Sequence, residues 1–339
     1  MSLGPTRGAA RPQGRRLWRL AAALALLAAV LWWVEPERVW AELQRADGGW
    51  LLAGLLSSAA ANALSAWRWR AGVRWLGFEV PLRWALPVYF RGVAANVVLP
   101  GAVLGGDMLR AWSLHRRGVP VLEAGVSVVL DRLSGLWGLG LLGCLVLAVG
   151  RISGHGDGLQ RALHALGLSG FLPVVVVVAA ALVVAMALSP YVVLRVSASH
   201  GMYWAPLQRP AWRWWRQLAT HAPARHWGQQ LVGSLAVQAA SVTTLFAGLH
   251  AVGAPLPWAG VALAAVPIFV LATLPVSFGG WGTREAAAVA VLVPLGIDAP
   301  AAVAASVLYG LAPIAQAPLA LLPSSAGDGD ADAAADRRR

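Results

Sequence analysis

A small set of ionisable side chains lies in or beside apolar stretches: Arg91, Asp107, Arg110, Asp131, Arg132, Arg284 and Glu285. An ionised group in hydrocarbon costs at least ~2.5 kcal/mol, so each of these is expected to have a partner or a task. Asp107 and Arg110 are three apart, and a helix starting after Gly106 puts them on one face. Asp131 and Arg132 are adjacent and point to different faces. If their helix begins near Pro120 they lie roughly 16 Å along it; if the span is only Leu133 to Gly150 they sit at a solvated helix end. Arg91 and Asn96 fall in a short apolar stretch before Pro100 and are expected to line an interior surface. The chemistry on offer is binding. Guanidinium groups suit a phosphate, while Asp107, Asp131 and Glu285 suit a cationic portion of the same headgroup or a coupling proton.

Several of these charges follow unusual backbone punctuation. Leu99-Pro100-Gly101-Ala102-Val103-Leu104-Gly105-Gly106-Asp107-Met108-Leu109-Arg110 resembles Leu274-Pro275-Val276-Ser277-Phe278-Gly279-Gly280-Trp281-Gly282-Thr283-Arg284-Glu285. Each is a Leu-Pro, a few residues, a Gly-Gly pair and then charge. Proline removes a helical donor, and paired glycines allow a backbone that a continuous helix does not adopt. Pro100, Gly101, Gly105, Gly106, Pro275, Gly279, Gly280 and Gly282 are therefore expected to break two helices near mid-membrane, with Ser277 a candidate ligand inside the second break. Gly/Pro-interrupted segments at corresponding places in two halves point to a transporter's central site. Prolines and glycines that only kink packed helices would produce the same letters.

The elements that must carry these residues follow from the uncharged runs. Gly48 to Trp67, Leu133 to Gly150, Ala165 to Leu194, Trp227 to Leu249, Ala251 to Thr283 and Ala299 to Gly327 hold no Asp, Glu, Arg or Lys. A helix needs roughly 20 mostly apolar residues to cross ~30 Å of hydrocarbon. Leu20 to Val34 is shorter, but Leu17 and Trp18 extend it if Arg19 snorkels. It has no small-residue cleavage site before Glu35 and is read as a retained anchor. With 58% apolar and 12% charged residues and a mean hydropathy of +0.63, the expectation is an all-α polytopic membrane protein. It has about six full spans plus two interrupted, re-entrant segments with weak inverted-repeat character. Residues 1–19 and 324–339 read as polar tails around a membrane domain over 20–323.

All 27 basic residues are arginine, so the formal charge of +12 does not titrate away. The absence of lysine removes Walker A, Schiff-base and lysine-bound pyridoxal chemistry. Cys144 stands alone in an apolar run, the seven histidines have no ligand spacing, and no cofactor or metal is implied. Arg209 to Arg225, interleaved with Trp212, Trp214 and Trp215, has a nucleic-acid look but lies between two spans. There Arg and Trp belong to the interfacial belt. With a cytoplasmic N-terminus and two segments that dip in and return, twenty arginines, Arg68 among them, lie inside and four outside, as the positive-inside rule favours.

Ala66-Trp67-Arg68-Trp69-Arg70, Asn96 to Gly101, Gly105 to Arg110, Val129-Leu130-Asp131-Arg132-Leu133-Ser134-Gly135 and Leu274 to Glu285 together resemble the lysylphosphatidylglycerol synthase transmembrane-region family, also described as flippase-like. The resemblance runs from about Trp18 to Pro323. In its best-known members the membrane region is fused to an aminoacyl transferase and is held to flip the modified lipid. Only a short polar tail follows Pro323, so the resemblance implies a stand-alone translocase for an anionic or otherwise charged lipid in envelope biogenesis, without synthase activity. Two alternatives stand beside it: a non-transporting partner of a lipid synthase or glycosyltransferase, and a membrane-embedded lipid-modifying enzyme. The enzyme would need clustered carboxylates that the chain does not show. The setting implied is a bacterial-type inner membrane with both termini cytoplasmic.

Overall fold

Asp47 opens the first long helix by accepting the Trp50 N–H at 2.9 Å, satisfying one of the donors that a helix start leaves orphaned. The computed structural model describes residues 36–98, 103–152, 172–200, 212–273 and 280–321. Among them the helices are α1 (Pro36–Gln44), α2 (Gly48–Trp75), α3 (Leu82–Val98), α4 (Val103–His115), α5 (Val121–Ile152), α6 (Leu172–His200), α7 (Arg213–Thr220), α8 (Pro223–Ala251), α9 (Trp258–Ala272), α10 (Thr283–Leu292) and α11 (Ala299–Ala315), followed by a 3-10 turn, Ala317–Leu321.

Five stretches in the described residues are long and apolar enough to cross a membrane: Gly48–Trp75, Val121–Val149, Val176–Ser199, Pro223–Ala251 and Ala299–Leu321. The expected first span, Leu20 to Val34, lies outside the described residues, as do both polar tails. Val177, Val178, Leu182, Val184 and Leu188 of α6 are exposed, a contiguous apolar face that water would not tolerate. The chain is an all-helical, multi-pass membrane protein.

Its organisation rests on one antiparallel pair. Along α2 and α8, Trp50 meets His250 with ring centroids 4.7 Å apart, and Ser57 donates to the Ala240 carbonyl at 2.9 Å. Farther along, Gln230 donates to the Arg68 carbonyl at 3.1 Å, and Trp75 stacks on His226 at 5.7 Å. Gly54 against Ala247 and Gly233 against Arg68 let the two backbones approach. Each of these helices leads into two short helices that pack on one another, and then into another spanning helix: α3 and α4 before α5, α9 and α10 before α11. Because α2 and α8 run in opposite directions, the two pairs start from opposite ends of the bundle. This is the arrangement of an inverted repeat. Each pair is flanked by glycines with positive φ, Gly77 (90°) and Gly118 (86°) around the first, Gly253 (69°) and Gly296 (89°) around the second.

The first pair is an antiparallel hairpin. Gly106 N–H donates to Asn96 Oδ1 at 2.8 Å, Gly92 abuts Arg110, and the Arg117 guanidinium lies 4.6 Å from the Trp84 ring centre. The segment thus returns to the end it left. At 13 residues, α4 is only ~20 Å long, short of the hydrocarbon thickness. The glycines differ from expectation. Gly105 and Gly106 are inside α4, not in a break, and the reason is contact: a Cβ on Gly106 would stand 2.0 Å from the Gly92 carbonyl oxygen. In the second segment Gly280 and Gly282 have φ of 83° and 84°, so the chain is not helical just before α10. Pro100, Gly101, Pro275, Ser277 and Gly279 lie outside the described residues.

Gly106→Ala is expected to lower stability by ~1–3 kcal/mol or more, because the clash is with backbone that cannot move aside. Gly125→Ala, in the second turn of α5 with open space around it, should be neutral or stabilise by up to ~1 kcal/mol. Thermal unfolding of the purified protein in one detergent compares the two.

Candidate functional site

Where α2, α4 and α5 meet, five charged side chains form one network. Asp131 Oδ1 accepts from Arg68 Nε at 3.1 Å and from a terminal nitrogen of Arg68 at 2.8 Å, and its Oδ2 accepts from Arg110 at 2.8 Å. The other terminal nitrogen of Arg110 donates to Asp107 Oδ1 at 2.7 Å. Arg132 Nε reaches Asp107 Oδ2 at 2.9 Å. The side chains of Arg68, Arg110 and Asp131 are almost wholly buried, Asp107 is 14% exposed and Arg132 is 40% exposed. Arg68 also donates to Ser234 Oγ at 3.1 Å, which ties α8 into the cluster. Three guanidiniums face two carboxylates, so the network carries one excess positive charge in a medium where charge is poorly screened.

The second segment builds a smaller counterpart. Glu285 Oε2 accepts the Gly282 N–H at 2.6 Å. Its Oε1 accepts from Arg284 at 2.7 Å and from the Ser306 hydroxyl at 3.1 Å. The positive φ at Gly282 aims that N–H back at the Glu285 carboxylate and starts α10. Each segment's arginine lies on aromatic rings: Arg110 is 4.6 Å from the Tyr89 centre and 5.5 Å from Trp69, and Arg284 is 4.8 Å from Trp281 and 5.7 Å from Tyr309.

Both clusters open on one central cavity of about 610 Å³, lined from both halves of the molecule. Arg68, Arg110, Arg132 and Arg284 line it, but of the carboxylates in the two clusters only Asp131 does. Asp107 and Glu285 hold their arginines from behind. The cavity wall is therefore basic, with neutral amides and hydroxyls from Asn62, Asn96, Gln238, Ser241 and Thr273. Among the described residues no group of three His, Cys, Asp or Glu side chains is placed to hold a metal.

The expected residues divide accordingly. Asn96, Arg110, Asp131, Arg132 and Arg284 are at the cavity, and Asp107 and Glu285 are one layer behind it. Arg91 is not in its lining: its Nε donates at 3.1 Å to the Ala320 carbonyl, which docks the 3-10 turn on α3. Asp131 and Arg132, adjacent in sequence, share one network because the arginine side chain is long enough to turn back onto Asp107. Arg68, one of the arginines expected on the cytoplasmic side and not among the candidate site residues, is 3% exposed and lines the cavity. Its helix continues to Trp75, past the end of the uncharged run. The available signal was spacing: Ser58, Asn62, Ser65 and Arg68 fall on one helical face. Tyr89, Gln238, Ser306 and Tyr309 carried no such signal. In the Arg/Trp stretch, Arg213 of α7 pairs with Glu123, and Trp212, just before α7, is exposed.

Asp131→Asn removes the charge shared by two buried guanidiniums and is expected to cost ~3–5 kcal/mol. Glu79→Gln removes the partner of Arg74 in a solvent-exposed pair and should cost less than ~1 kcal/mol. Thermal unfolding in detergent reads both, and equal losses would contradict the central role of Asp131.

A family model described as the lysylphosphatidylglycerol synthase TM region matches residues 20–317. No curated protein matches the chain. The match takes in α1 to α11, both interrupted segments and every charged residue of the cavity. The chain belongs to the lysylphosphatidylglycerol synthase transmembrane-region family.

Proposed function

We propose that this protein is a lipid translocase whose central cavity receives an anionic headgroup during its passage across a bacterial-type inner membrane. One observation carries this reading: Arg110 and Arg284, from the two inverted segments, line the same cavity, whereas Asp107 and Glu285 lie outside its lining and Asp131, the carboxylate that Arg110 shares with Arg68, is the one acidic group of the two clusters on the wall. A basic, partly polar chamber in the middle of a bundle lowers the cost of moving a phosphate through hydrocarbon. Segments approaching one site from opposite ends suit alternating access. The role is binding and movement without catalysis. A lipid synthase or glycosyltransferase is the natural source of cargo.

Translocation of fluorescent phosphatidylglycerol in reconstituted vesicles tests the reading. Arg110→Ala and Arg284→Ala should each slow it by about 10- to 100-fold, the value of hydrogen bonds to a charged group. The lysine variants should lose less, because an ammonium keeps the charge but not the fork. Asp107→Asn should slow transport with little loss of folded protein. Rates are compared at equal amounts of folded protein. If the wild type moves no lipid, the translocase reading falls and a non-transporting partner of a lipid synthase takes its place.

The topology that goes with this reading has both termini in the cytoplasm. In a Cys144→Ser background, Glu79→Cys and His115→Cys are expected to react with an impermeant thiol reagent only from the cytoplasmic side, and Asp298→Cys only from the other. Labelling of position 115 from outside alone would remove the re-entrant arrangement.

A further inference from the structure

The cavity also restricts which headgroup it takes. We infer that the ligand is a phosphodiester extended by a neutral polyol, such as glycerol, inositol or a sugar, and that amine-bearing headgroups are refused. This rests on the lipid-site reading above and narrows it.

A cationic amine needs a carboxylate or an aromatic face. Each carboxylate at the site is already engaged by guanidinium on one or both oxygens. Asp131 gives Oδ1 to Arg68 and Oδ2 to Arg110. Asp107 gives its oxygens to Arg110 and Arg132. Glu285 gives one to Arg284 and Ser306 and the other to the Gly282 N–H. Of the aromatic rings in the lining, Tyr89 carries Arg110, Trp281 and Tyr309 carry Arg284, and Phe269 stacks on Tyr309 at 4.9 Å. An ammonium entering the cavity would meet four guanidiniums and a single lining carboxylate, Asp131, whose two oxygens are already taken, so it would face the excess positive charge of the network without a free partner.

The neutral polar groups point the other way. Asn96 uses its amide oxygen on Gly106 N–H, which leaves its NH2 as a donor. Gln238 uses its NH2 on the Gly135 carbonyl at 2.8 Å, which leaves its oxygen as an acceptor. Ser241 and Thr273 lie in the same lining with hydroxyls already used in part, Ser241 by the Tyr309 hydroxyl and Thr273 as a donor to the Val270 carbonyl at 2.7 Å. The Asn96 donor and the Gln238 acceptor, both neutral and on the same wall as the guanidiniums, are the pair of functions that a hydroxyl-bearing group beside a phosphate requires. At about 610 Å³ the chamber has room for a sugar-sized group beside the phosphate.

The experiment is equilibrium binding of defined lipids to the purified, intact protein in detergent, read by displacement of a fluorescent phosphatidylglycerol and by thermal shift. Phosphatidylethanol, phosphatidylethanolamine, phosphatidylglycerol, phosphatidylinositol and lysylphosphatidylglycerol separate charge, amine and hydroxyl. Phosphatidylglycerol and phosphatidylinositol are expected to bind about tenfold tighter than phosphatidylethanol, which has the phosphodiester without the hydroxyls. Phosphatidylethanolamine and lysylphosphatidylglycerol should bind weaker still. Gln238→Leu, and the milder Ser241→Ala should Gln238→Leu fail to fold, are expected to bring phosphatidylglycerol down toward phosphatidylethanol and leave phosphatidylethanol unchanged. Phosphatidylethanolamine or lysylphosphatidylglycerol binding as tightly as phosphatidylglycerol overturns the refusal of amines, and equal binding of phosphatidylethanol and phosphatidylglycerol overturns the polyol. Transport of lipid without this order of affinities sinks this inference alone, whereas the order without transport sinks only the translocase.

Discussion

Asp131 stands between two buried guanidiniums, and much of the molecule is arranged to keep that carboxylate charged. Arg68 approaches it from α2 and Arg110 from α4, and Arg110 is in turn steadied by Asp107, which also engages Arg132. None of these charges would be stable alone in hydrocarbon. Removing one partner leaves another uncompensated, so the network constrains three helices at once. The long helix pair α2 and α8 supplies the frame, with Ser234 of α8 completing the hydrogen bonds of Arg68. The same interaction fixes the shape of the cavity, because the groups that hold the helices together also form its wall.

The fold class was legible because lipid imposes a simple rule. Backbone polar groups must be satisfied internally, so long uncharged runs become helices. The inverted repeat was legible in the paired Leu-Pro and Gly-Gly elements. What those glycines do was not. Gly106 is required by a neighbouring backbone at contact distance, and Gly280 by its own dihedral angle. The same two letters serve both needs, and only the tertiary neighbour decides between them.

The charged site was legible in part for a related reason. Asp107, Arg110, Asp131 and Arg284 stand out because they sit beside apolar sequence. Arg68 was disguised by Arg70 and Arg74, which do reach the helix surface: Arg70 donates to the Val80 carbonyl and Arg74 pairs with Glu79 in solvent. A charge count along the chain treats the three alike, whereas the helical turn sends them in different directions. The neutral lining, Gln238 and Ser241 above all, is ordinary polar sequence until two distant helices bring it to one wall.

The four positive-φ glycines at the bases of the hairpins have a mechanical consequence. Between α3 and α4 the tight contact of Gly92 against Gly106 leaves little play. At Gly77, Gly118, Gly253 and Gly296 the chain passes through a region that other residues enter only with strain and that glycine enters freely. Torsional compliance is thereby available where each pair of short helices joins its spanning helices. The width of the chamber between them is then governed by how far those joints turn.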